Sequence, residues 1–443
     1  MIHIILATNV SDVVIRNLVV RGGNANGAGI INNCGGGIYF ERVTHSLVSN
    51  VVLSNNSANN GGGGMFLDSS SNNILIITAV SNSAMFGGGV YLYNNSVSNL
   101  VRGIVSRNFA SANGGGFTIF GSSFNVVESP IVNNLAGGSG GGVFLLNNAN
   151  DNTISGSVYS NSATNNGGGI FLESSHNNTI SGSVYNNSAT NYGGGIYLTN
   201  SHNNTISGSV YNNSASWYGG GIYLYYSDNN SISGSVYNNI ATNYGGGIAL
   251  QYSHSNNISG SVYNNSAANN GGGIFLYFSD NNTISGNLYN NSSSSGGGIY
   301  ILQSHWSVIR GNIYNNSSLV NGGGILVYSS TNVSILDSYI TNNWASTINS
   351  VISIYYHAIN LLISNCYIGG NNNTDSIGIY ENHADISTHT IVNNKFITNR
   401  LRYLYREFMG SRLITNNADW ININNPSLLG TTSGSTNNTL TNL

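Results

Sequence analysis

Short runs of alternating apolar and variable residues recur along this chain at a nearly constant interval. Each run follows a glycine triplet and places an apolar residue on either side of a variable one, as in Ile196-Tyr197-Leu198. In the middle of the chain the triplets begin 26 residues apart, at Gly167, Gly193, Gly219, Gly245 and Gly271. A period of two predicts a β-strand. A fixed interval of this size predicts a solenoid whose coils bury their apolar faces by stacking.

The coil that starts at Gly193 shows how one repeat is built. Glycines 193–195 form a turn, and the strand at 196–198 follows. Residues 200–204 are rich in Asn and Ser, which favour turns, and 205–211 read as a second extended segment. About 26 residues at ~3.3 Å each give a closed turn of ~85 Å contour, which suits a three-sided parallel β-helix. The predicted fold class is therefore all-β, a parallel β-helix solenoid of about 13–14 coils.

The glycine triplets stop after the one at Gly322, and the character of the chain changes near its C-terminal end. The sequence predicts a parallel β-helix over residues 1–394 and a basic, aromatic capping segment over 395–420. Residues 421–443 read as a polar tail. The first strand has no covering segment before it, so we expect the first coil to contact a further domain or a neighbouring subunit, because open strand edges recruit other chains.

The composition narrows the classes of function. Only 6% of the residues are charged, far below the ~25% usual in soluble proteins. Between Arg107 and Arg310 there is no Lys or Arg. Nucleic acid is excluded as a partner, because its phosphates require a basic surface. No apolar run approaches the ~20 residues of a membrane span, and no motif for a cofactor occurs.

An aromatic column gives the first indication of binding. The residue between the two apolar positions of each strand should point away from the core, and it is commonly Tyr or Phe. We predict an exposed contact face there, since exposed aromatic surface marks interaction sites. Its members are Tyr197, Tyr223, Phe275 and Tyr300, flanked by Tyr225, Tyr226, Tyr277 and Phe278.

Two further columns are predicted to be structural. One contains Tyr159, Tyr185, Tyr211, Tyr237, Tyr263, Tyr289 and Tyr314. Earlier coils place Leu53, Val80, Val105 and Val132 there, and Ile340 follows, so we predict that this column is largely buried. The Asn-Asn corners should stack as ladders of amide side chains.

The unit NNTISGSVYNNSATNYGGGIYL carries a family resemblance. It resembles the right-handed parallel β-helix proteins of the pectin-lyase-like superfamily over about residues 2–394. The repeat is similar to that of bacterial polymorphic outer-membrane proteins, with Gly-Gly-Gly-Ile in place of Gly-Gly-Ala-Ile and Tyr-Asn-Asn-Ser in place of Phe-x-x-Asn. It looks equally like archaeal adhesin-like surface proteins and viral β-helix fibres. The resemblance implies a right-handed helix and a surface role.

The superfamily includes glycosidases and lyases, so the resemblance also allows an enzyme. Glycoside hydrolysis needs two carboxyl groups ~5 to ~9.5 Å apart. Glu41 and Asp68 occupy equivalent positions in successive coils and are the candidate pair. No complete catalytic constellation accompanies them, and the sequence favours a protein that is not an enzyme.

Two other sets of polar residues fall at repeated turn positions. Stacked imidazoles and carboxylates could bind a metal ion or respond to pH; the set comprises His176, His202, Asp228, His254, Asp280 and His305. Asn-x-Ser/Thr sequons are candidate glycosylation sites in an exported protein; those singled out are Asn177, Asn186, Asn203, Asn212, Asn229, Asn264, Asn281 and Asn315.

Together these features predict an extracellular structural or adhesive β-helix protein that acts at a cell surface or in a filament. Its expected partners are other protein subunits, including copies of itself, or surface glycans. Two alternatives stay open. One is a virus fibre or spike, located on a virion, and the other is a carbohydrate-active β-helix enzyme.

Overall fold

The computed structural model describes residues 3–347, 350–369, 376–382 and 388–397, with strand segments at 401–407, 411–415, 418–419, 429–431 and 439–441. The chain divides into two compact units, Met1–Ser216 with Gly220–Tyr223, and Trp217–Gly219 with Leu224–Leu443. Each unit consists of stacked parallel β-coils. The predicted all-β solenoid is confirmed, with about 13 turns of ~26 residues along the chain.

The coils contribute strands to three parallel sheets, of which the third has Trp344–Ala345 as its last described strand. The first sheet contains the strand that follows the glycine triplet. In the first unit its strands are Ile5–Thr8, Ile38–Glu41, Met65–Asp68, Val90–Tyr93, Phe117–Phe120, Val143–Leu146, Ile170–Glu173 and Ile196–Thr199. In the second unit they are Ile248–Gln251, Ile274–Tyr277, Ile299–Leu302, Ile325–Tyr328, Ser350–Tyr355, Ser376–Asn382, Leu401–Glu407 and Leu429–Thr431. The strand Ile222–Tyr225 contains the division between the units.

The second and third sheets are made of shorter strands. The earliest coils give the second sheet long strands, Val14–Arg21, Leu47–Ser54, Ile74–Val80 and Leu100–Ser106. Later coils give it two short ones each, such as Thr179–Ile180 and Val184–Tyr185, or Thr283–Ile284 and Leu288–Tyr289. Strands of the third sheet include Ser188–Ala189 and Ser292–Ser295. Within the described residues the only helix is Ile30–Asn33, and no helix is long and apolar enough to cross a membrane.

Successive coils are in register, so equivalent side chains stack in columns. Ile170 pairs with Ile196 and Leu172 with Leu198. All four are buried, and the inward residues of the other two sheets are buried with them. Each coil therefore buries aliphatic side chains from three sides, which is what the alternating pattern requires.

The predicted amide ladders are confirmed, as the corner that contains Asn161, Asn187 and Asn213 shows. The buried Asn187 donates its backbone N–H to the Asn213 Oδ1 atom at 2.9 Å, and its Nδ2 atom donates to the same oxygen at 3.0 Å. The Nδ2 atom also donates to the Val158 carbonyl at 2.9 Å. In the preceding coil, the Asn161 backbone N–H and Nδ2 atom donate to the Asn187 Oδ1 atom at 2.9 and 3.1 Å. Each buried asparagine thus satisfies backbone groups that the corner would otherwise leave unpaired.

The predicted exposure of the aromatic column is wrong. Tyr197, Tyr223, Phe275 and Tyr300 are only 7%, 3%, 2% and 7% exposed. In several coils the residue before the glycine triplet is aromatic, and its ring packs against the outer side of the first sheet as a second apolar layer. In the first unit the Tyr192 ring lies 6.1 Å from Tyr197 and 5.4 Å from Tyr223. In the second unit the Tyr244 ring lies 5.1 Å from Phe275.

Glycine is needed where this layer meets the strand. Gly193 has a φ of +59°, which glycine adopts without strain. A Cβ atom there would lie 2.7 Å from the Tyr197 Cβ atom. The triplet therefore lets the backbone lie directly on the aromatic column.

The sequence analysis predicted that the tyrosine column of the second sheet is largely buried, and this prediction is wrong. Its tyrosines are half-buried and point outward, with ring centroids 4.8 Å apart between Tyr159 and Tyr185. The predicted column is off by one residue at Leu53, Val105 and Ile340, where Ser54, Ser106 and Thr341 are the equivalent residues. The structure pairs Ile131 with Val158 and Val132 with Tyr159, and it pairs Ser106 with Val132. A shift of one residue exchanges the buried and exposed faces of a strand.

Parallel pairing continues beyond residue 394. Leu401–Glu407 pairs with Ser376–Asn382, and Leu429–Thr431 pairs with Leu401–Glu407. The predicted boundary of the helix therefore does not coincide with the end of the parallel pairing. Residues 398–400, 408–410, 416–417 and 420 of the predicted cap, and most of the predicted tail, lie outside the described residues.

Candidate functional site

An exposed aromatic cluster in the second unit lies at the turn after the first-sheet strand. Tyr226, Tyr252 and Phe278 occupy the same position in three successive coils and are called the turn ladder below. Tyr226 is 45% exposed, and the other two are half-buried. Tyr225 and Tyr277 precede two of them and are half-buried as well. Four of these five residues were predicted from the sequence as flanks of the contact face.

The backbone of the turn ladder has an unusual conformation for aromatic residues. The φ angles of Tyr226, Tyr252 and Phe278 are +47°, +49° and +48°. Residues with small polar side chains tolerate this left-handed region, whereas bulky residues there are rare and strained. Other coils place Asn200, Ser174 or Gly121 at the equivalent turn, with φ of +46°, +46° and +52°. The three aromatic residues therefore lie at a turn position whose backbone conformation suits asparagine or glycine better.

The rings of the turn ladder stack on one another. The Tyr226 and Tyr252 centroids are 4.9 Å apart with a 9° interplanar angle, and those of Tyr252 and Phe278 are 5.3 Å apart at 6°. Tyr225 meets Tyr226 edge-on at 4.5 Å, and the Tyr277 ring lies 4.5 Å from Phe278. Because stacked rings cover one another's faces, the ladder presents ring edges and tyrosine hydroxyls to solvent. An extended partner that follows the coils can contact all three rings.

Tyr252 was missed in the sequence analysis. It follows Tyr226 by 26 residues and precedes Phe278 by 26, so the repeat interval itself contained the signal. The preceding residue, Gln251, interrupts the aromatic pairs seen at Tyr225 and Tyr277 and hid the column.

The predicted column of histidines and acids links neighbouring coils. In the second unit the His254 N–H donates to the Asp228 Oδ1 atom at 2.6 Å, and the Asp280 N–H donates to the His254 Nδ1 atom at 3.0 Å. The His305 N–H donates to the Asp280 Oδ1 atom at 2.7 Å. In the first unit the His202 N–H donates to the His176 Nδ1 atom at 3.1 Å. A ring nitrogen that accepts a hydrogen bond carries no proton on that atom, so the Nδ1 atoms of His176 and His254 serve as acceptors for the backbone of the next coil.

The column does not assemble a metal site. Among the described residues there is no group of three or more His, Cys, Asp or Glu side chains that could hold a metal ion. The Nδ1 atoms of His176 and His254 already accept backbone hydrogen bonds. A metal would compete with those bonds for the same lone pairs. The column therefore acts in the turn as a set of hydrogen-bond acceptors.

His176 should make the stability of the first unit depend on pH. Burial lowers the pKa of His176, and the neighbouring His202 lowers it further. Because the pKa is lower in the folded state, the unfolded chain binds more protons below ~6.5, the ordinary value. This contribution to stability is present above that pH and is lost as the pH falls.

Replacing His176 with asparagine is expected to weaken the dependence. Asn150 already fills the equivalent position one coil earlier and accepts the His176 N–H at 2.8 Å, so the coil contact survives the change. Urea denaturation midpoints at about pH 5 and about pH 7.5 measure the effect. If the urea midpoint changes between the two pH values by the same amount in the variant and in the original protein, His176 does not have this role.

The candidate acid pair lies in the first unit and is brought together as predicted. Glu41 and Asp68 are directly opposite each other in adjacent strands, which places their backbones ~4.8 Å apart. Both are half-buried, and Arg42 forms an ion pair with Glu41. Burial raises the pKa of the Asp68 carboxyl, and the Glu41 charge adds to this, although Ser69 donates a hydrogen bond to Asp68 at 2.9 Å.

Aromatic side chains lie beside the acid pair on the same face of the sheet. Tyr39 precedes Glu41 by two residues, and Phe66 precedes Asp68 by two, so all four point to one side. Tyr39 is 0% exposed, and its hydroxyl has no hydrogen-bond partner. Burial raises the pKa of Tyr39, and the charges of Asp68 and Glu41 raise it further. The group has two neighbouring carboxyls in unlike surroundings, as acid–base chemistry requires.

The eight candidate glycosylation asparagines are all exposed: Asn177, Asn186, Asn203, Asn212, Asn229, Asn264, Asn281 and Asn315. Each has a φ between +55° and +58°, which asparagine tolerates in turns. Exposure leaves these side chains accessible, and their glycosylation stays a prediction.

Comparison with known proteins supports the fold. Residues 141–302 match the family model described as "Right handed beta helix region", and residues 20–206 match that described as "Periplasmic copper-binding protein (NosD)". A comparison with curated protein sequences found no match. The coil geometry gives the chain the parallel β-helix fold that the resemblance implied, and residues 141–302 are similar to right-handed β-helix regions.

Two solved structures are similar to this chain. One is the A-module of the mannuronan C-5 epimerase AlgE4 of Azotobacter vinelandii, at 14% identity over 92% of this chain and 91% of that chain, with a TM-score of 0.31. The other is PfbA, a surface adhesin of Streptococcus pneumoniae, at 11% identity over 81% and 84%, with a TM-score of 0.22. Likeness at this level carries no argument for function.

Proposed function

We propose that this chain is an adhesive β-helix protein that acts outside the cytoplasm and binds an extended glycan through the turn ladder of its second unit. The observation that carries the proposal is the left-handed backbone of Tyr226, Tyr252 and Phe278. Aromatic residues occupy, in three successive coils, a turn position that favours asparagine. This indicates selection for surface contact rather than for stability. The periplasmic description of one matched family supports a location outside the cytoplasm.

The chemistry of the ladder suits a glycan. Sugar rings carry apolar C–H faces and many hydroxyls, and the ladder offers apolar ring edges together with tyrosine hydroxyls. Its rings follow one another at 4.9 and 5.3 Å. A polymer laid along the coils would repeat the same contact on each ring. Binding to a printed glycan array tests the proposal when the protein is compared with a variant whose ladder residues are replaced.

Copper binding does not transfer to this chain from the matched family. The described residues contain no group of three or more His, Cys, Asp or Glu side chains that could hold a metal ion. Both cysteines are buried, and burial raises the pKa of Cys34 to about 12 and that of Cys366 to about 11. Neither thiol therefore supplies a thiolate near neutral pH. The virus-fibre alternative gains no support from the matches.

A second candidate function is glycoside hydrolysis at Glu41 and Asp68. The observation that favours it is their direct opposition on adjacent strands beside Tyr39. Backbones ~4.8 Å apart allow the two side chains the ~5–5.5 Å carboxyl separation of the retaining mechanism, in which one carboxylate is the nucleophile and the other carboxyl is the acid. The raised pKa of Asp68 suits the acid, and Glu41, held by Arg42, suits the nucleophile.

Replacing Glu41 with glutamine, or Asp68 with asparagine, is then expected to lower hydrolysis by at least ~100-fold. Release of reducing ends from a soluble β-glucan and from polygalacturonate measures the rate. Glu173 occupies the equivalent position several coils later, opposite Leu146 and Thr199. Its replacement with glutamine is the matched control and should leave the rate unchanged. If the original protein releases no reducing ends, or the Glu41 variant stays active, this second function is rejected.

A further inference from the structure

The surroundings of the turn ladder are acidic. Asp228 follows Tyr226 by two residues on the same turn, and Asp280 follows Phe278 by two. No Lys or Arg occurs in the sequence between Arg107 and Arg310, and Arg310 itself pairs with Asp337 at 3.2 Å. An anionic polymer bound along the ladder would meet carboxylates with no neighbouring cation in sequence to offset them.

The two carboxylates are fixed in position by the backbone. The Asp228 Oδ1 atom accepts the His254 N–H at 2.6 Å, and the Asp280 Oδ1 atom accepts the His305 N–H at 2.7 Å. The Asp280 side chain is 27% exposed, and its Oδ2 atom lies 3.8 Å from the His254 Nδ1 atom. Hydrogen bonds from backbone N–H groups hold each carboxylate in one position and reduce the entropy it loses on binding.

The acids and the rings repeat with different periods. A ring occurs in every coil from Tyr226 to Phe278, whereas an acid occurs in every second coil, with His254 between. Coils lie ~4.8 Å apart, so the carboxylates recur at ~9.6 Å along the stack. A β-1,4-linked glycan in a two-fold conformation advances by about one coil spacing per sugar, and therefore by about the distance between the two carboxylates per pair of sugars. It also presents the same substituent to one side at every second sugar.

We propose that the ligand of this face is a linear β-1,4-linked glycan that carries positively charged amino groups, lying along the second unit. This inference rests on the proposed function and adds the charge and linkage of the ligand. Successive sugars contact the edges of Tyr226, Tyr252 and Phe278. An ammonium group on every second sugar contacts Asp228 or Asp280. Polyuronates and other anionic chains are rejected by the same two carboxylates.

Glycans that share one backbone and differ in charge test the inference. The probes are cello-oligomers as the neutral chain, glucosamine oligomers of equal length as the cation, and C6-oxidised cello-oligomers as the anion. Calorimetry on the full chain is expected to show binding to the glucosamine oligomer about tenfold tighter than to the cello-oligomer, because two exposed charge contacts contribute modestly. The oxidised oligomer should not bind, and added salt should reduce the preference.

A double variant with Asp228→Asn and Asp280→Asn separates charge from shape. Asparagine preserves the acceptor for the next coil, as Asn150 does for the His176 N–H at 2.8 Å. The variant is expected to bind the neutral and cationic oligomers equally. A preference that persists in the variant would overturn the inference, as would tighter binding of the anionic oligomer.

Other outcomes reach different conclusions. Binding of polylysine but of no glucosamine oligomer would overturn the assignment to a glycan while keeping a cationic partner. If no oligomer binds and the glycan array is also negative, the proposed function fails as well. Binding of neutral glycans without any charge preference would refute the inference and leave the proposed function standing.

Discussion

Replacing Tyr226, Tyr252 and Phe278 together with asparagine is expected to abolish glycan binding while the fold is retained. Aromatic residues at the centre of an interface often contribute tenfold or more each to affinity, so a loss of at least ~100-fold is expected. Their φ angles of +47°, +49° and +48° suit asparagine better than an aromatic residue. The variant should therefore unfold at the same temperature or a higher one. Array binding and thermal denaturation measure the two effects.

A matched control uses the other aromatic column of the same unit. Tyr263, Tyr289 and Tyr314 stack at 4.7 and 4.9 Å on the second sheet. Thr341 pairs with Tyr314 in the next coil, so threonine is compatible with this column. Replacement of the three tyrosines with threonine should leave glycan binding unchanged. Equal binding by the ladder variant and the original protein would contradict the proposed function.

Replacing Gly194 with alanine is expected to destabilise the first unit by roughly 3 kcal/mol or more, since strain of this kind lies in the severe range of single substitutions. A Cβ atom at Gly194 would lie 2.3 Å from the Ser214 carbonyl oxygen and 2.4 Å from that of Gly220. Both contacts are with backbone, which cannot rotate away as a side chain can. The coils must separate locally to admit the methyl group, and the hydrogen bonds between them weaken. A lower urea midpoint in denaturation measures the loss.

Gly121 provides the control for this prediction. Its φ is +52°, and the nearest atom to an added Cβ would be the Asn147 carbonyl oxygen at 3.5 Å. Asn147 occupies the equivalent position in the next coil with a φ of +57°. Gly121→Asn should therefore change stability by less than ~1 kcal/mol. If the Gly194→Ala variant is as stable as the Gly121→Asn variant, the close approach of the coils at Gly194 does not restrict the residue there, and this prediction is wrong.

The period of the sequence was sufficient to predict the solenoid, because every coil must bury its apolar face against the neighbouring coils. Alternation placed Ile196 and Leu198 in the core, where both are 0% exposed. The same rule failed for Tyr197, because it describes one sheet with solvent on its outer side. Here the segment containing Tyr192 covers that side. The alternation of residues along a strand does not show whether another segment of the chain covers the outer face of the sheet.

The candidate sites were predictable to different degrees. Glu41 and Asp68 were placed together correctly, because register follows directly from the repeat. Tyr226 and Phe278 were identified only as flanks, since the left-handed turn that exposes them is a backbone property. The hydrogen bonds of His254 and Asp280 along the column also require coordinates, because the sequence does not state which ring nitrogen faces the next coil.

The asparagine ladder has a consequence for how the length of this protein can change. Asn161 contacts Asn187 with the same atoms that Asn187 uses to contact Asn213. Excision of one complete repeat would bring Asn161 against Asn213 and recreate every bond of that corner. Loss of a few residues would instead leave a buried amide facing the wrong backbone group. Duplication and deletion are thus tolerated in whole coils, so related chains are expected to differ in length by multiples of the repeat.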